Sequence, residues 1–239
     1  MLQPRQLALQ ITLDDAATFD NFHVTSANSA LLNYLQEPAA LAQFTWLWGA
    51  PGAGCSHLLQ AMCQQDATAD TLQPWAASFY VPLRQHGEWH PDILLGLESL
   101  QLVCLDDVEA IAGLLDWEEA MFHLFNRLRE SGTRLLVAAH MAPREATFVL
   151  PDLLSRLQSG VVFQVHEPDD DDKLQALRKR AGRRGLELSE EVARYILQRT
   201  ERGNTELFDL LERLDSHSLQ RQRRISVALV RDLLQNETL

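Results

Sequence analysis

Short apolar runs alternate with helix-like stretches over the first two thirds of the chain. The runs predicted to be buried strands are 44–48, 78–83, 100–105, 134–139 and 161–165. Several are almost continuously apolar, which is typical of strands covered on both faces of a parallel sheet. The helices predicted between them are 55–65, about 91–98 and 116–131. This alternation predicts an α/β fold with a parallel sheet in three layers.

The pattern changes at EPDDDDK, residues 167–173. Pro168 ends the preceding strand, and the aspartates suit the first turn of a helix. We prefer that interpretation of the aspartates to a metal site. The stretches after it are all helical in pattern, at about 170–183, 189–200, 205–216 and 226–235. We therefore expect an α/β domain over 16–167 and a small helical domain over 168–239.

Composition is that of an ordinary globular protein that can bury a core. The chain has 239 residues, of which 46% are hydrophobic and 23% charged. We find no signal peptide and no apolar stretch near the ~20 residues of a membrane helix. The three cysteines, Cys55, Cys63 and Cys104, lack pairing or metal-type spacing, and the last two suit a core. A cytoplasmic location without a membrane partner is expected.

The charge is strongly uneven along the chain, although the net charge is −12. Residues 1–172 carry 7 Lys/Arg and 23 Asp/Glu, a net charge of −16, whereas residues 173–239 carry 14 and 10, a net of +4. The acidic part repels DNA, so strong direct DNA binding is not expected. The basic part could meet nucleic acid or an acidic partner, but a solvated face explains most of its arginines.

A candidate phosphate-binding loop lies in WGAPGAGCSHLL, residues 48–59, between a predicted strand and a predicted helix. It has the GxxxxGK[ST] spacing, except that Cys55 replaces the lysine. The glycines and the helix N-terminus can still hold phosphate, and Ser56 can bind Mg²⁺. Losing the lysine removes a charge-assisted hydrogen bond of roughly 1.5–3 kcal/mol, which weakens binding ~10–100-fold and slows hydrolysis further. The candidate contacts in this loop are Gly49, Pro51, Gly52, Ala53, Gly54, Cys55, Ser56 and His57.

The alternative for this loop is a glycine-rich turn without a ligand. In LVCLDDVE, residues 102–109, an apolar strand ends in Asp106, suited to Mg²⁺, and Asp107, suited to orienting water. That ending is common when it stands alone, but together with the loop it favours a nucleotide site.

A further candidate is Arg156 in LPDLLSRLQSG, which could reach the γ-phosphate of a neighbouring subunit. On its own, an ordinary surface salt bridge explains Arg156 better.

Four stretches together resemble the AAA+ module of the bacterial replication initiator DnaA. They are 18–32, 49–59, 102–113 and 150–160. The chain resembles the Hda family, the shorter paralogues that regulate DnaA, more closely still, because 117–136 and 171–188 look like Hda throughout. The resemblance implies an AAA+ P-loop fold with a small C-terminal helical lid. DnaA carries an additional DNA-binding domain for which 239 residues leave no room, so a DNA-binding initiator is not expected.

The stretch QLALQI, residues 6–11, resembles the peptide with which Hda proteins bind the DNA sliding clamp. The resemblance implies that residues 1–15 form a clamp-binding peptide, in which a glutamine and apolar side chains enter separate pockets. Gln10 replaces a proline that would favour an extended backbone, so some affinity is expected to be lost. A frayed N-terminal strand is the alternative. The residues assigned to the clamp are Gln6, Leu7, Leu9 and Ile11.

Three positions depart from the family pattern. Cys55 replaces the P-loop lysine, and His140 stands at the sensor-1 position, where it could contact water or phosphate or be structural. Thr205 falls where the sensor-2 arginine is usual, with Arg202 three residues out of register. Because two cationic contacts to the γ-phosphate are missing, we expect a preference for ADP or another nucleoside diphosphate, with Mg²⁺, and little intrinsic hydrolysis. The residues expected beside the base are Phe22, His23 and Val24.

The resemblance implies a negative regulator of replication initiation that is bound to the sliding clamp. It would stimulate hydrolysis of DnaA-bound ATP with Arg156 as an arginine finger in trans. Its expected partners are ATP-bound DnaA and the clamp, which would hold it at the nucleoid. The alternative is a self-sufficient AAA+ ATPase that acts as a clamp- or helicase-loading motor, against which Cys55 and Thr205 argue. The base, the oligomeric state (including a homodimer) and the redox behaviour of Cys55 stay open.

Overall fold

The computed structural model describes residues 13–37, 40–68, 78–183, 185–199 and 225–235. The chain divides into two compact units, Met1–His166 and Glu167–Leu239. The first unit contains a parallel sheet with helices, and the helices described in the second unit have a core of their own.

The first unit is built on five parallel strands in the order β2-β3-β4-β1-β5. The strands are β1 Phe44–Trp48, β2 Ser78–Pro82, β3 Leu102–Asp106, β4 Arg134–Ala139 and β5 Val161–Gln164. Each of the five predicted apolar runs therefore forms a strand. Because all strands point the same way, their carboxyl ends lie along one edge of the sheet.

Alternate side chains of β1 to β4 enter different cores on the two faces of the sheet. Trp46 of β1 packs in the core that contains α3 (Leu115–Ser131) and α4 (Pro151–Leu157). Leu47, the next residue, packs in the core that contains α1 (Ser29–Gln36) and α2 (Cys55–Thr68). Cys63 and Cys104 are buried in this second core, as predicted. The three-layer α/β arrangement is confirmed.

Two details of the predicted elements are wrong, and one helix was not predicted. The stretch 91–98 is not an α-helix but two 3-10 turns, Pro91–Leu94 and Leu97–Ser99, because Gly96 between them adopts a left-handed φ of +82°. Strand β5 is not buried, since it lies at the sheet edge and exposes Val161 and Val162. Helix α1 was not predicted.

The second unit has a helical core of its own. Its described helices are α5 Asp170–Arg183, α6 Glu190–Arg199 and α7 Val227–Gln235, close to three of the four predicted ranges. They bury Leu177, Ile196 and Val230 against one another. The fourth predicted helix, 205–216, lies outside the described residues. Within the described ranges, we find no helix that combines the length and the apolar character needed to cross a membrane.

Candidate nucleotide-binding site

The candidate phosphate loop, residues 49–54, lies between β1 and α2 at the carboxyl edge of the sheet. The Gly49 N–H donates to the Ala139 carbonyl at the end of β4 over 3.2 Å. On the other side of β1, the Val165 N–H donates to the Trp48 carbonyl over 2.7 Å. Parallel α/β sheets bind ligands at this edge, where the loop meets the residues that follow β3 and β4.

Two glycines of the loop are required by its geometry. A Cβ on Gly49 would lie 2.5 Å from the Val165 carbonyl oxygen, so the backbone there admits no side chain. Gly54 has a φ of +102°, and a Cβ on it would lie 2.7 Å from the Phe22 ring. The loop then runs directly into the N-terminus of α2, where backbone N–H groups favour an anion.

The segment predicted to sit beside the base packs against this loop. The Phe22 ring meets Gly54, and its centroid lies 5.6 Å from that of the His57 ring. A ring nitrogen of His57 is 2.8 Å from the Thr18 carbonyl oxygen, so that side chain holds the N-terminal segment on α2. Val24 is exposed. Sequence reasoning assigned His57 to the nucleotide but did not foresee this contact.

Cys55, at the lysine position, presents a neutral thiol. Burial, and next the negative charge of Asp106, raise its pKa to about 12. The reactive thiolate is therefore scarce at physiological pH, which argues against redox sensitivity. The same negative surroundings would favour the lysine that this chain lacks at the position.

Asp106, the predicted Mg²⁺ ligand, is 3% exposed at the end of β3. Its Oδ2 accepts a hydrogen bond of 2.6 Å from the Tyr80 hydroxyl, and its Oδ1 accepts one of 3.0 Å from the Asp107 N–H. Burial, and then the charge of Asp106, raise the pKa of Tyr80 above its usual range, so the phenol stays a donor. Sequence reasoning missed Tyr80, because only the β2–β3 pairing brings it to Asp106.

Asp107 follows directly and lies in a crowded acidic corner. Its backbone has a left-handed φ of +52°, the only positive φ of a non-glycine among the described residues. Burial and the neighbouring Asp106 raise its pKa, although Arg84 Nε lies 3.1 Å from its Oδ2 and works in the opposite direction. A strained left-handed backbone, as at Asp107, is typical of functional sites.

His140 follows β4 and faces the same corner. Its Nδ1 contacts Glu109 Oε1 and lies 3.6 Å from Asp107 Oδ1. The His140 backbone N–H also donates to Glu109 over 3.2 Å. The ligand atoms of Asp107, Glu109 and His140 lie within 4.8 Å of one another, close enough to hold a divalent cation. Sequence reasoning did not single out Glu109.

Arg156 lies on α4 and is held by two residues of α3. Its guanidinium carbon lies 4.4 Å from the centre of the Phe122 ring, and its Nη1 donates to Asn126 Oδ1. Phe122 and Asn126 are four residues apart, so they share one face of α3. No described carboxylate pairs with Arg156, so the surface salt bridge that sequence alone favoured is wrong within that part of the chain. The Arg156 side chain is half-buried.

Several predicted residues lie outside the described ranges. They are the clamp-binding Gln6, Leu7, Leu9 and Ile11 and the sensor-2 residues Arg202 and Thr205. The structure brings together the loop 49–54, Asp106, Asp107 and His140 along one sheet edge.

Two family models match different parts of the chain. The model of the Hda lid domain matches residues 170–234. The model of the bacterial DnaA ATPase domain matches residues 94–164, which contain Asp106, His140 and Arg156. Together the two matches cover parts of both structural units.

Several solved structures share the fold. Domain III of the replication initiation protein DnaA from Thermotoga maritima is 21% identical, with a TM-score of 0.75 over 95% of this chain and 98% of that one. AMPPCP-bound DnaA from Aquifex aeolicus is 22% identical, with a TM-score of 0.68 over 88% and 69%. The RuvB Holliday junction branch migration motor of Thermotoga maritima is 16% identical, with a TM-score of 0.62 over 92% and 71%. At these identities the likeness shows the fold.

Proposed function

The chain is an Hda-like AAA+ protein paralogous to DnaA, and from that premise we propose that it stimulates hydrolysis of DnaA-bound ATP while itself holding a nucleoside diphosphate. Arg156 would act in trans on the nucleotide of DnaA, where a guanidinium stabilises charge in the transition state. The protein would thus be an activator of another ATPase, which favours the inactive, ADP-bound form of DnaA and so restrains initiation.

One observation carries this proposal: two uncharged side chains hold Arg156 in place, and no carboxylate within the described ranges pairs with it. The Phe122 ring and the Asn126 amide fix the guanidinium, and neither carries a negative charge. An arginine finger needs such a preorganised cation, because its value depends on charge that is free to meet a phosphate.

The diphosphate preference is supported by the chemistry of the loop. Its backbone and the α2 N-terminus can hold phosphate, whereas Cys55 is neutral and supplies no cation for the third phosphate. Asp106 and Ser56 offer the oxygen ligands that Mg²⁺ prefers, so the donor set fits this ion. Bound Mg²⁺ would neutralise phosphate charge at this edge of the sheet.

The decisive experiment measures ATP hydrolysis by DnaA in the presence of this protein and a DNA-loaded sliding clamp. We expect Arg156→Ala to reduce stimulation by roughly 10³-fold, the lower end of the effect of an arginine finger. Arg144→Ala is the matched control, since that side chain is 83% exposed and should leave stimulation unchanged. Full stimulation by the Arg156 variant would refute the assignment.

The protein alone should release little phosphate from ATP. Turnover at the rate of an ordinary AAA+ motor, lost on Asp107→Asn, would favour the self-sufficient ATPase instead. The alternative is supported by the proximity of Asp107 and His140, because their side chains lie together where a water could be oriented.

Clamp docking through residues 6–11 is the second part of the proposal, and it rests on the sequence resemblance. Replacing Gln6 and Leu9 with alanine should abolish retention on clamp-coated beads but leave nucleotide binding unchanged. Retention of that double variant at the wild-type level would show that another surface meets the clamp.

A further inference from the structure

A buried tyrosine hydroxyl supports the predicted metal-binding carboxylate. Tyr80 on β2 donates to Asp106 Oδ2 on β3 over 2.6 Å. The two residues are far apart in sequence and meet because β2 pairs with β3.

Burial keeps the hydrogen bond between Tyr80 and Asp106 in place. Tyr80 and Asp106 are both buried, so neither can exchange its partner for bulk water. With Oδ2 held by Tyr80 and Oδ1 by the Asp107 N–H, the plane of the carboxylate is fixed and its remaining lone pairs keep one orientation. Groups that orient a metal ligand in this way tune metal affinity.

We infer that Tyr80 is a positioning residue that presents Asp106 to the nucleotide-bound divalent cation. The inference rests on the proposed nucleotide function, since it assumes that Asp106 is the metal ligand. It adds Tyr80 to the residues that govern how strongly the metal tightens nucleotide binding.

The test is a titration of the full-length protein with ADP, in the presence of Mn²⁺ and in the presence of EDTA. We expect Tyr80→Phe to weaken Mn²⁺-dependent ADP binding by about tenfold or more, the range for such supporting groups. ADP affinity in EDTA should change little, a split that general destabilisation of the fold would not produce. Equal Mn²⁺ dependence in Tyr80→Phe and wild type would overturn the inference.

Different results would refute the metal part of the proposed function and the positioning role of Tyr80. If wild type binds ADP no more tightly with Mn²⁺ than in EDTA, then Asp106 is not a metal ligand, and the metal part of the proposed function and this inference are both wrong. If Mn²⁺ tightens binding equally in wild type and Tyr80→Phe, only the positioning role is wrong.

Discussion

The guanidinium carbon of Arg156 lies 4.4 Å from the centre of the Phe122 ring. This contact joins α4 to α3 and holds a charged side chain against an aromatic face, while the hydrogen bond to Asn126 fixes its orientation. If Arg156 acts in trans, its partners on α3 decide how well it is aimed.

Replacing Phe122 with leucine should therefore impair stimulation of DnaA ATPase while Arg156 is still present. A cation–π contact contributes roughly 0.5–2 kcal/mol, so we expect a loss of roughly 2–30-fold, smaller than that of Arg156→Ala. The hydrolysis assay with a loaded clamp measures it. Phe122→Tyr keeps the aromatic face and should retain stimulation; a Tyr variant as poor as the Leu variant would argue against the ring contact.

Replacing Cys55 with lysine should shift nucleotide preference toward the triphosphate. Burial, and next the negative charge of Asp106, raise the Cys55 pKa, and the same negative charge would stabilise an ammonium group. One charge-assisted hydrogen bond to the third phosphate should tighten ATP binding by roughly 10–100-fold. Fluorescence titrations with ATP and ADP give the ratio. Cys55→Ser is the neutral control, and an unchanged ratio in the lysine variant would contradict our account of the loop.

Replacing Asp107 with asparagine should stabilise the fold at neutral pH. The pKa of Asp107 is raised in the folded protein, chiefly by burial and then by Asp106. Its contribution to stability is therefore greatest below the unfolded-state pKa of about 4 and falls as pH rises through the folded-state pKa. Asparagine has no carboxyl group to ionise, so the variant avoids this loss of folding stability at neutral pH.

Urea denaturation at pH 7 and at pH 3.5 provides the measurement for Asp107→Asn. The variant should be the more stable protein at pH 7, and its advantage should shrink at pH 3.5, where the wild-type side chain is largely protonated in both states. A gain that is equal at both pH values would show that charge is not its cause.

Replacing Gly54 with alanine should destabilise the α/β unit more than an ordinary glycine substitution in a turn. The new Cβ meets a left-handed φ of +102° and would lie 2.7 Å from the Phe22 ring. Strain of this kind costs roughly 1–3 kcal/mol, before the displacement of Phe22 is counted. Gly113→Ala separates the two effects, because Gly113 has a φ of +86° with nothing within 4 Å of a new Cβ. Equal losses in urea denaturation would show that the Phe22 contact carries no energy.

The strands were predictable because strands that are buried on both faces of a parallel sheet have nearly continuous apolar sequences. The helix expected over 91–98 failed because a single left-handed glycine, Gly96, divides it, and local periodicity does not report φ. The side chain of Asn28, just before α1, exchanges two hydrogen bonds with the His166 backbone, 138 residues away. No local pattern reports a partner at that distance.

The same limit applies to the site. The spacing of the loop located Gly49, and the ends of the predicted strands located Asp106 and His140. The roles of these residues follow from their local positions. Tyr80 and Glu109 escaped detection because their importance comes from which strands and turns become neighbours, 26 and 31 residues away along the chain. The partners of Arg156 on α3 are of the same kind.

The position of β1 in the sheet has a consequence for the order in which the protein can form during synthesis. Among the described strands, the neighbours of β1, residues 44–48, are β4 and β5, which begin at residues 134 and 161. A growing chain therefore carries an unpaired β1, and a loop without its flanking strands, until most of the first unit has left the ribosome. Such distant pairing is slow to form. The phosphate loop is encoded early but takes shape among the last parts of its unit.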